Sequence, residues 1–164
     1  MRIFFLAAAL AAMALGPAYA ASYDDPKALV TALYEPYTHG DQPTDLPDFY
    51  TDGLKAMFAK HQQLSQITGV GLPAKPVSPS DDEFDPFVNA KHYLMLDLTI
   101  SDAVVNGDHA VVGVSYKNFD HPTVLSVSLS KSPDGWKVDD IASLGADQHW
   151  LLSWLLTYDP LGVH

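Results

Sequence analysis

Apolar positions recur at two different periods along this chain, and the change of period divides it. In the first third they fall at helical spacing. Leu29, Leu33 and Tyr37 line one face with Val30 and Tyr34 beside them. Asp25 is placed to cap this helix, Pro26 takes the first helical position, where its missing N–H costs nothing, and Gly40 is a plausible stop. A second helix is predicted from Asp45–Asp48 to about His61–Gln66. Its stripe is Tyr50, Leu54, Met57 and Phe58, with Lys55, Lys60 and Gln62 facing away.

From Leu94 onward the period falls to two, the spacing of half-buried strands. Leu94, Leu96, Leu98 and Ile100 share a face, and Asn106-Gly107 is a strong hairpin signal. The return strand puts Ala110, Val112, Val114 and Tyr116 on one side, and the chain turns again at Phe119 to Pro122. Leu125, Val127 and Leu129 alternate with Ser126, Ser128 and Ser130, and Asp134-Gly135 leads into Trp136, Val138 and Ile141. The pattern predicts a four-stranded antiparallel meander with one apolar face. A bulge is expected at Ser101-Asp102, where alternation fails. Residues Asp147 to Tyr158 read as a terminal helix that is apolar almost all round, with only His149, Ser153 and Thr157 polar. Such a helix must be covered, by the open side of the sheet or across a homodimer contact.

A proline-rich stretch from Thr68 to Asp82 connects the two halves. The helical third is too small to hold its own core, so residues 21–164 are expected to form a single α+β domain. Residues 1–20 read as a signal peptide: a positive start at Arg2, an apolar run from Ile3 to Leu15, and the small-x-small site Ala18-Tyr19-Ala20. A periplasmic or secreted location follows from that reading. The formal charge is −11, and losing a leader that carries Arg2 and no acid deepens it by one. A surface that acidic disfavours nucleic acid and anionic lipid heads. The absence of cysteine excludes disulfides, thiolate metal sites and a cysteine nucleophile.

Three segments sharpen the picture. Phe84-Asp85-Pro86-Phe87-Val88-Asn89-Ala90 stands just before the first strand, Tyr50-Thr51-Asp52-Gly53-Leu54 lies in the second helix, and Trp136-Lys137-Val138-Asp139-Asp140-Ile141 follows the Asp-Gly turn. In this order over residues 26–143, they resemble the bacterial secreted family called domain of unknown function 3828, within the nuclear transport factor 2-like superfamily. The resemblance implies a cone in which the N-terminal helices pack on a curved four-stranded sheet, and it implies an envelope location. It implies no particular reaction.

Strand phase nominates His92, Tyr116 and Asp140 as three titratable groups on an otherwise apolar concave face. A carboxylate desolvated there would suit general acid–base catalysis, and related folds of that superfamily host dehydratases and isomerases in such a pocket. The aromatics Tyr34, Tyr37, Trp136 and Tyr116 are candidates for lining a ligand cavity, together with Tyr50 and Phe58 on the same predicted faces. Metal chemistry finds no support. Asp81, Glu83 and Asp85 have the spacing of a calcium loop, but Pro86 replaces the turn glycine and His92 the closing Glu. None of the seven histidines pairs with another at helical fourfold spacing. No Gly-x-Ser-x-Gly elbow appears, and no cofactor is implied.

The favoured reading is a noncatalytic module that binds a small apolar molecule or an envelope protein. Its alternatives are a cofactor-independent isomerase or dehydratase using His92, Tyr116 and Asp140, and an acidic inhibitor or immunity-type interaction protein.

Overall fold

A computed structural model describes residues 22–68, 85–90, 92–145 and 148–157. The leader 1–20, nearly all of the proline-rich connector and the acids Asp81 and Glu83 lie outside them. The architecture is α+β. Three helices, α1 (Pro26–Thr38), α2 (Asp52–Thr68) and α3 (Leu152–Thr157), accompany six strands: β1 (Met95–Ile100), β2 (Val104–Asn106), β3 (His109–Asn118), β4 (His121–Ser132), β5 (Gly135–Gly145) and β6 (Gln148–Leu151). The strands form one antiparallel sheet in the order β1-β3-β4-β5-β6, and the short β2 continues the β1 edge by pairing with β3.

The helical third follows its pattern. The Asp25 side chain accepts from the Lys27 N–H at 3.0 Å and caps α1. Leu29, Val30, Leu33, Tyr34 and Tyr37 are all buried. The second predicted helix is two pieces, a 3-10 turn over Leu46–Phe49 and then α2. The break falls at Tyr50-Thr51, where the chain bridges to β5 and Thr51 N–H donates to Val138 O at 2.9 Å. Thr51 then caps α2 through its Oγ1, which accepts from Leu54 N–H at 3.2 Å.

The sheet has two strands more than the four that the alternation gave. β2 is a three-residue edge strand. β6 takes the first part of the expected terminal helix, which shortens to α3 and packs on α2 and β5 with Leu152, Leu155 and Leu156 buried. An apolar run of that length is ambiguous between strand and helix, and pairing with β5 decides it.

Two register shifts set which side chains face the core. The bulge expected at Ser101-Asp102 falls earlier, between Leu96 and Thr99, where Asp97 adopts φ 55°. It reverses the phase of β1: Met95 is buried, and Leu94 and Leu96 are exposed. A second shift between Ser128 and Leu129 lets β5 turn Val138 and then Ile141 inward, with Asp139 and Asp140 between them. The core lies between the helices and the face carrying Ala110, Val112, Val114, Tyr116, Leu125, Val127 and Leu129. Burying each large apolar side chain there contributes roughly 1.5–3 kcal/mol.

Candidate interaction surface

The interior beneath the helices is occupied by the chain itself. The segment Asp85–Ala90 closes into a tight loop: Asp85 N–H donates to Ala90 O at 3.4 Å, and Asp85 Oδ1 accepts from Phe87 N–H at 2.8 Å. That loop drives Phe87 and Val88 into the core, where both are essentially inaccessible. The Phe87 ring stacks on Tyr50 with centroids 6.0 Å apart, on Tyr37 at 6.4 Å, and meets the edge of Tyr34 at 6.2 Å. Tyr50 stacks in turn on Phe58 at 5.3 Å. Edge and offset-stacked pairs of this kind add about 0.5–1.5 kcal/mol each beyond their buried area.

Asp85 sits at the polar margin of this cluster, where Tyr37 Oη donates to its Oδ2 at 2.8 Å. Burial raises the Asp85 carboxyl above its ordinary range, and the Phe87 N–H and the Tyr37 hydroxyl oppose that rise without cancelling it. Burial also pushes the phenols of Tyr34, Tyr37, Tyr50 and Tyr116 up, so all four stay neutral at physiological pH. The sequence presented Asp85 as an acid in a calcium-like spacing and as part of the 84–90 segment of the family resemblance, with no role of its own. The signal for its actual role was Asp-Pro followed by two apolar residues, in which the carboxylate caps its own turn.

The residues nominated for acid–base chemistry are not brought together. His92 is exposed ahead of β1, on the side that the Asp97 bulge turns outward, and its backbone carbonyl accepts from Asn118 Nδ2. Tyr116 is buried and donates to Val88 O at 2.5 Å. Asp140 accepts from Ser153, at 2.5 Å from its hydroxyl and 3.0 Å from its backbone N–H. Each therefore turns to a different structural partner. The residues nominated to line a ligand cavity, Tyr34, Tyr37, Trp136 and Tyr116, are core residues. Tyr34 and Tyr37 pack on Phe87, and Trp136 carries the Lys131 ammonium 5.8 Å above its ring. An open groove of about 660 Å³ lies between the start of α2 and the β4–β5 hairpin. It mixes Lys55, Lys131 and Lys137 with Asp48, Asp52 and Asp134, so it favours neither an apolar ligand nor one sign of charge. Among the described residues no group of three or more His, Asp or Glu could hold a metal ion.

No described element covers the other face of the sheet. Register places Leu96, Lys117 and Pro122 in one row, Thr99, Ser115 and Val124 in the next, and then Gly113, Ser126, Ala142 and Leu151. Val104, Val111 and Ser128 make a further row, and Leu144 lies opposite His149. Six exposed large hydrophobics, Leu96, Val104, Val111, Val124, Leu144 and Leu151, thus share this face. Between them stand small and hydroxyl-bearing residues, among them Gly113, Ser115, Ser126 and Ala142. The one cation in these rows, Lys117, is paired with Asp97 at 2.7 Å. The turns at the sheet's ends carry acids instead: Asp102 after β1, Asp108 after β2 and Asp120 after β3, all exposed.

Among the described residues, fold and surface define an α+β arrangement with a filled interior and one uncovered, weakly charged sheet face with acids in the turns at its ends. No family model matches the chain, and no curated protein does. Among solved structures it is similar to a chain of the type VI native effector–immunity complex Tae3–Tai3 from Ralstonia pickettii. That likeness covers 76% of this chain and 98% of the other at 19% identity, with a TM-score of 0.46.

Proposed function

We propose that this protein is a noncatalytic interaction module, of inhibitor or immunity type, that docks a basic protein against the open face of its sheet. The observation that carries the reading is the uncovered apolar face on a chain of formal charge −11. Contiguous exposed apolar surface rimmed by polar residues is the mark of a protein contact. The rim sets the sign of the partner. Asp97 and Asp102 each already hold a lysine, Lys117 and Lys27, at 2.7 Å, so exposed Asp108 and Asp120, with the overall negative charge, would steer a basic surface into register and hold off an acidic one. A second copy is disfavoured for the same reason, since face-to-face pairing would bring like rims together.

The periplasmic or secreted address read from residues 1–20 belongs to the same proposal, as do the nuclear transport factor 2-like cone and the kinship with domain of unknown function 3828. An inhibitor of a basic envelope or secreted protein needs that location. The small-apolar-ligand reading loses ground because Phe87 fills the space that such a ligand would need.

Chemical cross-linking in the producing organism, followed by reconstitution of the complex from its two purified proteins, tests the proposal. The recovered partner is expected to be basic, to bind more weakly as salt is raised, and to lose binding to Ser126→Arg, which places a cation at the centre of the face. A partner that binds Ser126→Arg as well as the native chain, or a chain that emerges alone, sinks it.

A further inference from the structure

Two two-residue hairpin loops in this molecule share a positive φ at their first position and fill it with residues of opposite kinds. Between the paired ends Asn106 and His109 the loop is Gly107-Asp108, and Gly107 has φ 61°. Between the paired ends Asn118 and His121 the loop is Phe119-Asp120, and Phe119 has φ 57°. A two-residue loop with positive φ at its first position alone is the pattern of a type II′ turn, where that position prefers glycine. At Gly107 the chain meets the preference. At Phe119 it places a bulky aromatic residue in a conformation that side chains of its kind rarely adopt.

The ring gains little inside the molecule to offset that strain. Its side chain is 52% exposed, and it has no aromatic partner among the described residues. The turn is nevertheless held firmly. Phe119 N–H donates to Leu94 O at 2.9 Å, and the Asn118 side chain accepts from Leu94 N–H at 3.0 Å while its amide donates to His92 O. These bonds fix the segment 92–94 beside the turn, and Leu94 on that segment and Leu96 just after it are exposed. Backbone strain kept at a surface position that surrounding bonds over-determine is a signature of a recognition site.

We infer that Phe119, in a turn bonded to the backbone of exposed Leu94, is a preformed aromatic anchor that enters an apolar pocket on a basic protein. Hot spots of protein contacts are enriched in aromatic side chains presented rigidly at little entropic cost. The row Leu96–Lys117–Pro122 joins this corner to the open sheet face, so the inference deepens the proposed function and rests on it. Charge selects the partner: the chain carries a formal charge of −11, and Asp120, next to Phe119 in the turn, has a side chain 90% exposed. An apolar pocket with a cationic rim complements that arrangement.

A photoreactive phenylalanine at position 119 is the probe, introduced into the full chain in the producing organism. Irradiation is expected to trap a basic protein at position 119 and also at Val124 on the face, and nothing at Lys60 on α2. Trapping at 124 but not at 119 overturns the anchor and leaves the face reading standing. Trapping at neither position overturns both, and so does capture of a second copy of the chain. A partner-free measurement runs beside it. Phe119→Gly relieves the strained φ and is expected to melt at the native temperature or about 3 °C above it, and to bind the trapped partner at least tenfold more weakly. Phe119→Ala keeps the strain and should bind as weakly without the gain in melting temperature. If Phe119→Gly instead melts well below the native chain, the ring serves the fold and the inference fails.

Discussion

The Ser153 hydroxyl donates to Asp140 Oδ2 at 2.5 Å, and the Ser153 backbone N–H donates to Oδ1 of the same carboxylate at 3.0 Å. Ile141 N–H adds a third bond, to Oδ1 at 2.8 Å. Asp140 therefore ties the start of α3 to β5. The carboxylate that strand phase offered as a catalytic acid is engaged in holding α3 against β5.

Asp140→Ala should cost about 1–3 kcal/mol, the range for leaving buried donors without their acceptor. The loss should be local first: amide exchange across 152–157 should quicken while the β3–β4 ladder keeps its protection. Asp140→Asn retains one acceptor oxygen and should recover part of the loss. Unchanged exchange in α3 on removal of the carboxylate would show that Leu152, Leu155 and Leu156 hold the helix by packing alone.

Asp85 makes stability depend on pH, with a definite sign. Its folded pKa is raised above the ordinary 3.8, chiefly by burial. Just above 3.8 the unfolded chain has released a proton that the folded chain still holds. The stability associated with this group is therefore greatest at low pH and declines as pH rises from 3.8 through the raised folded value. Asp85→Asn keeps one acceptor oxygen, for Phe87 N–H or for the Tyr37 hydroxyl, and removes the titration, so it carries a constant cost that does not depend on pH. Urea midpoints of the two proteins, compared from about pH 4 to pH 7, should move in favour of the variant as pH rises. A constant difference across that range would place Asp85 in contact with water.

The aromatic cluster predicts the alkaline limit of the fold. Tyr34, Tyr37, Tyr50 and Tyr116 are all raised above 10.0, with burial as the main cause. Above that pH the unfolded chain loses phenolic protons that the folded chain keeps, so stability falls as pH climbs past 10. Phenolate absorbance from these residues should appear together with the loss of circular dichroism, in one step. Their ionisation with the strands still intact would mean that the interior opens readily to water.

How much of this was legible in the sequence follows from where the chain keeps its periods. α1 could be read from Asp25, Pro26 and the Leu29–Leu33–Tyr37 stripe because capping and helical spacing are local. β3 and β4 could be read because ten residues pair between them without a slip, so alternation reports burial directly. β1 misled because Asp97 enters the left-handed region and inserts a register shift, after which every second residue changes face. Asp140 misled for the same reason on β5. The plug made by Phe87 and Val88 depends on a tertiary fold-back of the chain, which no periodicity encodes. The open face shows in the pattern only as Ser126 and Ser128 alternating with buried Leu125, Val127 and Leu129, because most of the hydrophobics that complete it come from other strands.

Asn89 and Trp150 give the most specific test of how that plug is fastened. Asn89 adopts φ 52°, a region that asparagine tolerates better than most residues, and its Oδ1 accepts from Trp150 Nε1 at 2.9 Å. Its Nδ2 reaches Ser143 Oγ at 3.4 Å, so one side chain links the 85–90 loop to β5 and β6. Asn89→Gly suits the backbone and removes the links, whereas Asn89→Ala removes the links and leaves the backbone strained. The order of stability should be native, then glycine, then alanine, with the alanine variant losing about 2 kcal/mol from bond and strain together. Tryptophan emission should shift in both variants, because the Trp150 indole loses this acceptor. If the alanine variant equals the glycine variant, φ carries no cost at this position, and the hydrogen bonds alone explain why asparagine stands there.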